Sequence, residues 1–185
     1  MRLSPGWVIP LLLVAMLAAA TTAYDSAQRK FNSIESDRLR PGSRVTLTYP
    51  ELVAFAMHSV PDGVRDPNLE RTAPQTVTGR AMVDFGKLRS AEGHPPGWLM
   101  AKLLEGERPV SVTARIASSR GHVQVDVQRV AISGMEIDGR TLDFLIQHIV
   151  LPLYPDAVVG RPFALSHHID RLDIGPGGVG VTIAR

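Results

Sequence analysis

The amino-acid sequence predicts an α+β fold, an antiparallel sheet with short apolar helices packed on its inner face. Three observations point there. Two-residue apolar alternation recurs along the chain and is joined by tight turns, most clearly from Val110 to Val127. The helical runs between these stretches are short, and the last is apolar round most of its circumference, so it needs a cover. The order of elements is strand, helix, strand, helix, hairpin, strand, helix, hairpin, with no crossover regular enough for a parallel sheet.

The chain opens on Arg2, then the apolar run Val8 to Leu17, then the small residues Ala18 to Ala23. That is the order of a secretory signal peptide, in which cleavage after Ala20 or Ala23 fits the small residues required, and removal of residues 1–23 by cleavage after Ala23 is the preferred expectation. The apolar run is short for a hydrocarbon layer of roughly 30 Å, and Pro10 interrupts it, which makes a retained membrane anchor the weaker alternative. The mature protein is expected to work in the periplasm or outside the cell.

The sequence contains no cysteine. This removes disulfides, thiolate metal sites, a cysteine nucleophile and lipid attachment through an N-terminal Cys. Lys and Arg number 20 against 18 Asp and Glu, a near balance that calls for no nucleic acid partner. Apart from Lys30, Lys87 and Lys102 the basic side chains are arginine. Arginine suits bidentate contact with carboxylate or phosphate, although coding bias produces the same composition.

Residues 24–43 read as a polar helix or linker, with Ala27, Phe31, Ile34 and Leu39 on one stripe and Arg40-Pro41-Gly42 as the stop. A single α+β domain is expected over 44–185. Val45, Leu47 and Tyr49 alternate with Arg44, Thr46 and Thr48 as a strand. Thr48-Tyr49-Pro50-Glu51 then has the spacing of a capping box, with proline in the first turn, and Leu52 to Met57 gives a short apolar helix. His58 to Asn68, containing Pro61-Asp62-Gly63 and Asp66-Pro67, reads as loop. Gln75 to Leu88 reads as a strand with Val77, Gly79, Ala81, Val83 and Phe85 on one face.

Ser90 to Gly97 is expected to be loop, and Trp98 to Leu104 a short helix. A hairpin follows, turning at Ser118 to Gly121, and a further strand-like stretch runs from Ala131 to Ile137. Thr141 to Leu151 is the apolar helix, stopped by Pro152 and Pro155. A closing hairpin runs from Ala164 through the turn Gly175-Pro176-Gly177-Gly178 to Ile183.

No chemistry-bearing cluster stands out. His167 and His168, as neighbours on a strand, would face opposite ways, and His168 with Asp170 gives two ligands where zinc takes three or four. Ser33, Ser59, Ser111, Ser118 and Ser133 all lack a nucleophile elbow. Gly175 to Gly180 joins two strands instead of opening a helix, which makes it a turn and not a phosphate cradle. No enzyme activity, metal or cofactor is therefore expected.

The apolar groups are more informative. Trp98, Leu99 and Leu103 form one cluster, Leu142, Leu145, Ile146 and Ile149 another, with Phe55 on the earlier helix. They read either as ordinary core or as the lining of a groove between helices and sheet. The groove reading makes these eight residues candidate lipid-binding positions.

Two stretches carry a family resemblance. Val45 to Phe55, a strand followed by Thr48-x-x-Glu51-Leu52 and an apolar helix, resembles the opening of exported LmeA-like proteins, phospholipid-binding relatives of the tubular lipid-binding (TULIP) group. Pro109 to Ile132, the apolar helix, and Ile169-x-x-Leu172-x-Ile174-x-Pro176-Gly177-x-Val179-x-Val181 resemble their later part. The family often has Asn after Glu-Leu, where this chain has Val53. The resemblance implies a curved sheet around a helix, a groove that holds a phospholipid or another apolar ligand, and an envelope location near a membrane surface. It implies no catalytic residues. The alternative is an envelope interaction module that docks on a partner protein, or on a second copy, through its apolar helix.

Overall fold

A computed structural model describes residues 8–88, 102, 105–153 and 158–185. The expected helix over Trp98 to Leu104, and with it Trp98, Leu99 and Leu103, lies outside the described residues.

The chain folds as α+β, with nine antiparallel strands described in two sheets. Helix α1 runs unbroken over Val8–Glu35, across the position of the expected cleavage after Ala23. Its C-terminal part packs through the anticipated stripe. Ala27 and Ile34 are buried, and Phe31 and Leu39 lie against the same cluster. Spacings of four and three residues place Ala27, Phe31 and Ile34 on one helical face, while Leu39 lies beyond the helix end at Glu35.

Strand β1 (Arg44–Thr48) leads directly into α2 (Tyr49–Ser59). The capping box is formed: Thr48 Oγ1 accepts from the Glu51 amide, the Glu51 carboxylate accepts from the Thr48 amide at 2.7 Å, and Pro50 sits in the first turn. Two orphan amides of the helix start are thereby satisfied.

Strand β2 (Val64–Ala73) occupies much of what the sequence suggested was loop. Asp66-Pro67 does not end it. Pairing with β3 (Thr76–Asp84) shifts between Arg65 and Asn68, Asp66 turns to φ 51°, and the proline sits in this irregularity on an edge strand, where no ladder N–H is required of it. β3 is shorter than expected, because Phe85–Leu88 closes it as one helical turn, α3.

Strands β4 (Glu107–Ser119) and β5 (His122–Ile132) make the long hairpin, and β6 (Met135–Ile137) adds to β5. Both connecting turns have two residues in the left-handed region, Arg120-Gly121 and Ser133-Gly134. These primed turns match the right-handed twist of the strands they join. The larger sheet has the order β2-β3-β4-β5-β6, with the short β7 (Phe163–Ala164) also on β5.

Helix α4 follows in three stretches, Gly139–Leu145, a wide π turn at Ile146–Val150, and Leu151–Leu153. Pro152 lies inside the helix instead of stopping it. The proline removes one amide and its ring crowds the carbonyl four residues back. The wide turn accompanies this, the Leu151 amide reaching the Ile146 carbonyl five residues earlier.

The smaller sheet pairs the first strand with the last two in the order β1-β9-β8, where β8 is Ile169–Gly175 and β9 is Gly178–Ile183. Two glycines let β9 sit centrally. A Cβ on Gly178 would stand 2.1 Å from the Leu47 carbonyl oxygen, and one on Gly180 would strike the Arg44 guanidinium. Each sheet has its own core. Ile34, Leu47, Val181 and Ile183 are buried together under α1, while Val83, Phe85, Val130, Ile132 and Leu145 are buried together under α4.

Candidate functional site: an apolar groove

Residue parity builds the site. On β4, Val110 and Val112 share a face, and their partners on β5 are Ile132 and Val130. Continuing the alternation would place Gln128 next on that face. Instead the register shifts between Thr113 and Ala114, so Val127 pairs with Ala114 and Gln128 is left over. This bulge returns Val127 to the face that carries Val130 and Ile132. On β3, Val83 stands on the same side, paired with Val64 of β2.

Helix α4 lies over this face and leaves a groove of about 340 Å³ beside it. From the helix come Leu142, Leu145, Ile146 and Val150; from the sheet come Val64, Val83, Val110, Val112, Val127, Val130 and Ile132; Phe85 and Leu88 of α3, with Val60, Pro61 and Val159, complete the lining. Every lining residue is apolar. The wide turn of α4 matters here, since Ile146 and Val150, at its two ends, both reach the groove.

Leu142, Leu145 and Ile146 thus come together as the sequence suggested. Phe55 does not join them. Its ring packs at 4.4 Å from Phe31 and stacks at 6.2 Å with Tyr24, because α2 lies against α1 and turns this side chain toward the smaller core. Trp98, Leu99 and Leu103 lie outside the described residues, as does the Ile149 side chain. The sheet half of the lining escaped the sequence reading, although the shift of the apolar frame from Val123, Val125 and Val127 to Val130 and Ile132 was visible in the sequence.

The remaining polar candidates are dispersed. His167 and His168 sit in a turn with φ 53° each, not on a strand, and His167 Nδ1 lies 3.4 Å from Asp37 Oδ1. Ser118 Oγ donates to the His122 carbonyl at 3.1 Å and accepts from the Leu172 amide at 3.0 Å, which ties the β4–β5 hairpin to β8. Among the described residues no three His, Asp or Glu side chains gather as metal ligands.

One carboxylate is strongly perturbed, away from the groove. Glu51 is 7 % exposed. Burial pushes its pKa up, but donors from Lys30, Ser26 and both the amide and hydroxyl of Thr48 outweigh this and hold it at about 2. Lys30 Nζ lies 2.6 Å and 2.7 Å from the two carboxylate oxygens. The pair fastens α1 to the start of α2, a structural task.

No protein-family model, curated protein or solved structure matches the chain.

Proposed function

We propose that this protein is an exported, non-enzymatic lipid carrier of the cell envelope that takes an acyl chain into the groove beneath α4. The observation that carries this reading is a cavity of about 340 Å³ whose lining residues are all apolar. Such a surface offers a ligand no polar group to react with, but it rewards removal of hydrocarbon from water, at about 0.8 kcal/mol per methylene. The volume lies at the lower end of the ~300–1,000 Å³ range of ligand pockets, a size suited to one chain. The export signal read in residues 1–23 and the resemblance to LmeA-like proteins support an envelope workplace and a phospholipid or related apolar ligand.

Docking of α4 on a partner protein is the less favoured reading. Leu142, Leu145, Ile146 and Val150 turn toward the sheet, and the large hydrophobic side chains exposed among the described residues are Met57 and Met135, neither of them on α4.

Uptake of the neutral fluorophore N-phenyl-1-naphthylamine tests the proposal. The protein should enhance its emission saturably, and Val112→Phe or Val127→Phe, which fill the groove, should abolish the enhancement while leaving the unfolding transition in place. Absence of uptake by the wild-type protein, or full uptake by both filled variants, refutes it.

A further inference from the structure

Resting on the carrier reading, we propose that the groove is selective for a single-chain amphiphile with an anionic end group, a carboxylate or a phosphate, held by Arg108. Arg108 stands two residues before Val110 on β4, which puts its Cβ on the groove face. Its register partner on β3 is Val83, a lining residue, so the two Cβ atoms are neighbours at about 5 Å. Arg108 is not itself a lining residue; it holds the next same-face position beyond Val110, bordering a lining that is wholly apolar.

The side chain lacks a counter-ion there. Arg65, Arg80, Arg129, Arg44 and Arg171 each have a carboxylate within ion-pairing distance. Among the described residues Arg108 has none: Nη2 donates to the Lys102 carbonyl at 3.3 Å, and Nε is buried without an acceptor. A guanidinium carries five donors in a planar fork and stays charged, and a buried donor without a partner is costly. An anionic oxygen at the end of a chain lying along Val110 and Val83 would satisfy that fork bidentately. Charge complementarity thus adds a head-group preference to a groove whose walls select only for hydrocarbon, and the cavity volume restricts the tail to one chain.

Displacement of N-phenyl-1-naphthylamine by decanoate, decyl phosphate and 1-decanol tests this in the wild-type protein and in Arg108→Gln and Arg108→Lys. At least one anion should bind about tenfold or more tightly than 1-decanol, as expected for charge-assisted hydrogen bonds, and the tighter of the two names the end group. Arg108→Gln should bring the anions to within about twofold of 1-decanol while leaving 1-decanol itself unchanged, which also shows that the groove is intact. Arg108→Lys should keep part of the preference. The inference is overturned if the wild-type protein binds 1-decanol as tightly as both anions, or if the preference survives Arg108→Gln. If neither the fluorophore nor any of the three ligands binds, the carrier reading fails, and this inference fails with it.

Discussion

Glu51 carries two tasks that were unequally visible beforehand. Its place in the capping box follows from Thr48-x-x-Glu51, a local spacing that fixes local geometry. Its contacts with Ser26 and Lys30 bridge 25 and 21 residues of chain, and no local pattern announces them. The consequence is a stability that depends on acid. The folded pKa of about 2 lies below the ordinary 4.5, so ionised Glu51 stabilises the fold fully above the unfolded value, and this contribution is lost as pH falls from about 5 towards 2. The difference corresponds to about 3 kcal/mol at neutral pH. Glu51→Gln should therefore unfold in urea with about 3 kcal/mol less stability at pH 7. The gap between wild type and variant should narrow steadily as pH drops through 4.5. A gap that stays constant from pH 7 to pH 3 would show that the carboxylate charge is not what stabilises the junction.

The elements were legible where alternation was strict and illegible where a bulge intervened. The β4–β5 hairpin and the closing hairpin follow from period-two patterns and turn residues. β2 was obscured by Asp66-Pro67, which reads as a loop unless the strand is known to lie on a sheet edge. The bulge at Gln128 has the larger functional effect, since it keeps Val127, Val130 and Ile132 on one face. Deleting Gln128 removes only the extra residue and leaves Val123, Val125, Val127, Val130 and Ile132 in unbroken alternation on one face, whereas deleting Gln128 and Arg129 together forces either Val130 and Ile132 or the run from Val123 to Val127 onto the wet face. The double deletion should lose its cooperative thermal transition by circular dichroism, whereas the single deletion of Gln128, which keeps every apolar residue on its face, should still melt cooperatively. The turn at Ser133-Gly134 makes an opposite prediction. Ser133 adopts φ 51°, a region that costs most L-residues energy and that Asn tolerates. Ser133→Asn should raise stability by about 0.5 kcal/mol, read as a higher midpoint in the same melt.

At the scale of the whole molecule the division into two sheets was not legible, because β1 finds β9 only after the entire larger sheet has been threaded between them. The same division determines where the folded unit begins. Residues 24–43 could be read from sequence as a linker, yet the smaller sheet has Ile34 in its buried cluster, with Phe31 packed against it, and Tyr24 already stacks on His58 at 4.0 Å. A chain beginning at Tyr24 retains all of these contacts, together with Ser26 and Lys30 on Glu51. A chain beginning at Arg44 loses them. It would uncover Leu47, Val181 and Ile183 and leave Glu51 without its cationic partner. Each large apolar side chain so exposed costs about 1.5–3 kcal/mol, and breaking a buried ion pair adds about 3–5 kcal/mol. Together these reach the ~5–15 kcal/mol total stability of a typical domain. The chain from Tyr24 should therefore melt cooperatively and elute as a compact species in size-exclusion chromatography, while the chain from Arg44 should aggregate or show no transition. Equal melting of the two would mean that the helix is only a tether and that the smaller sheet is stabilised without it.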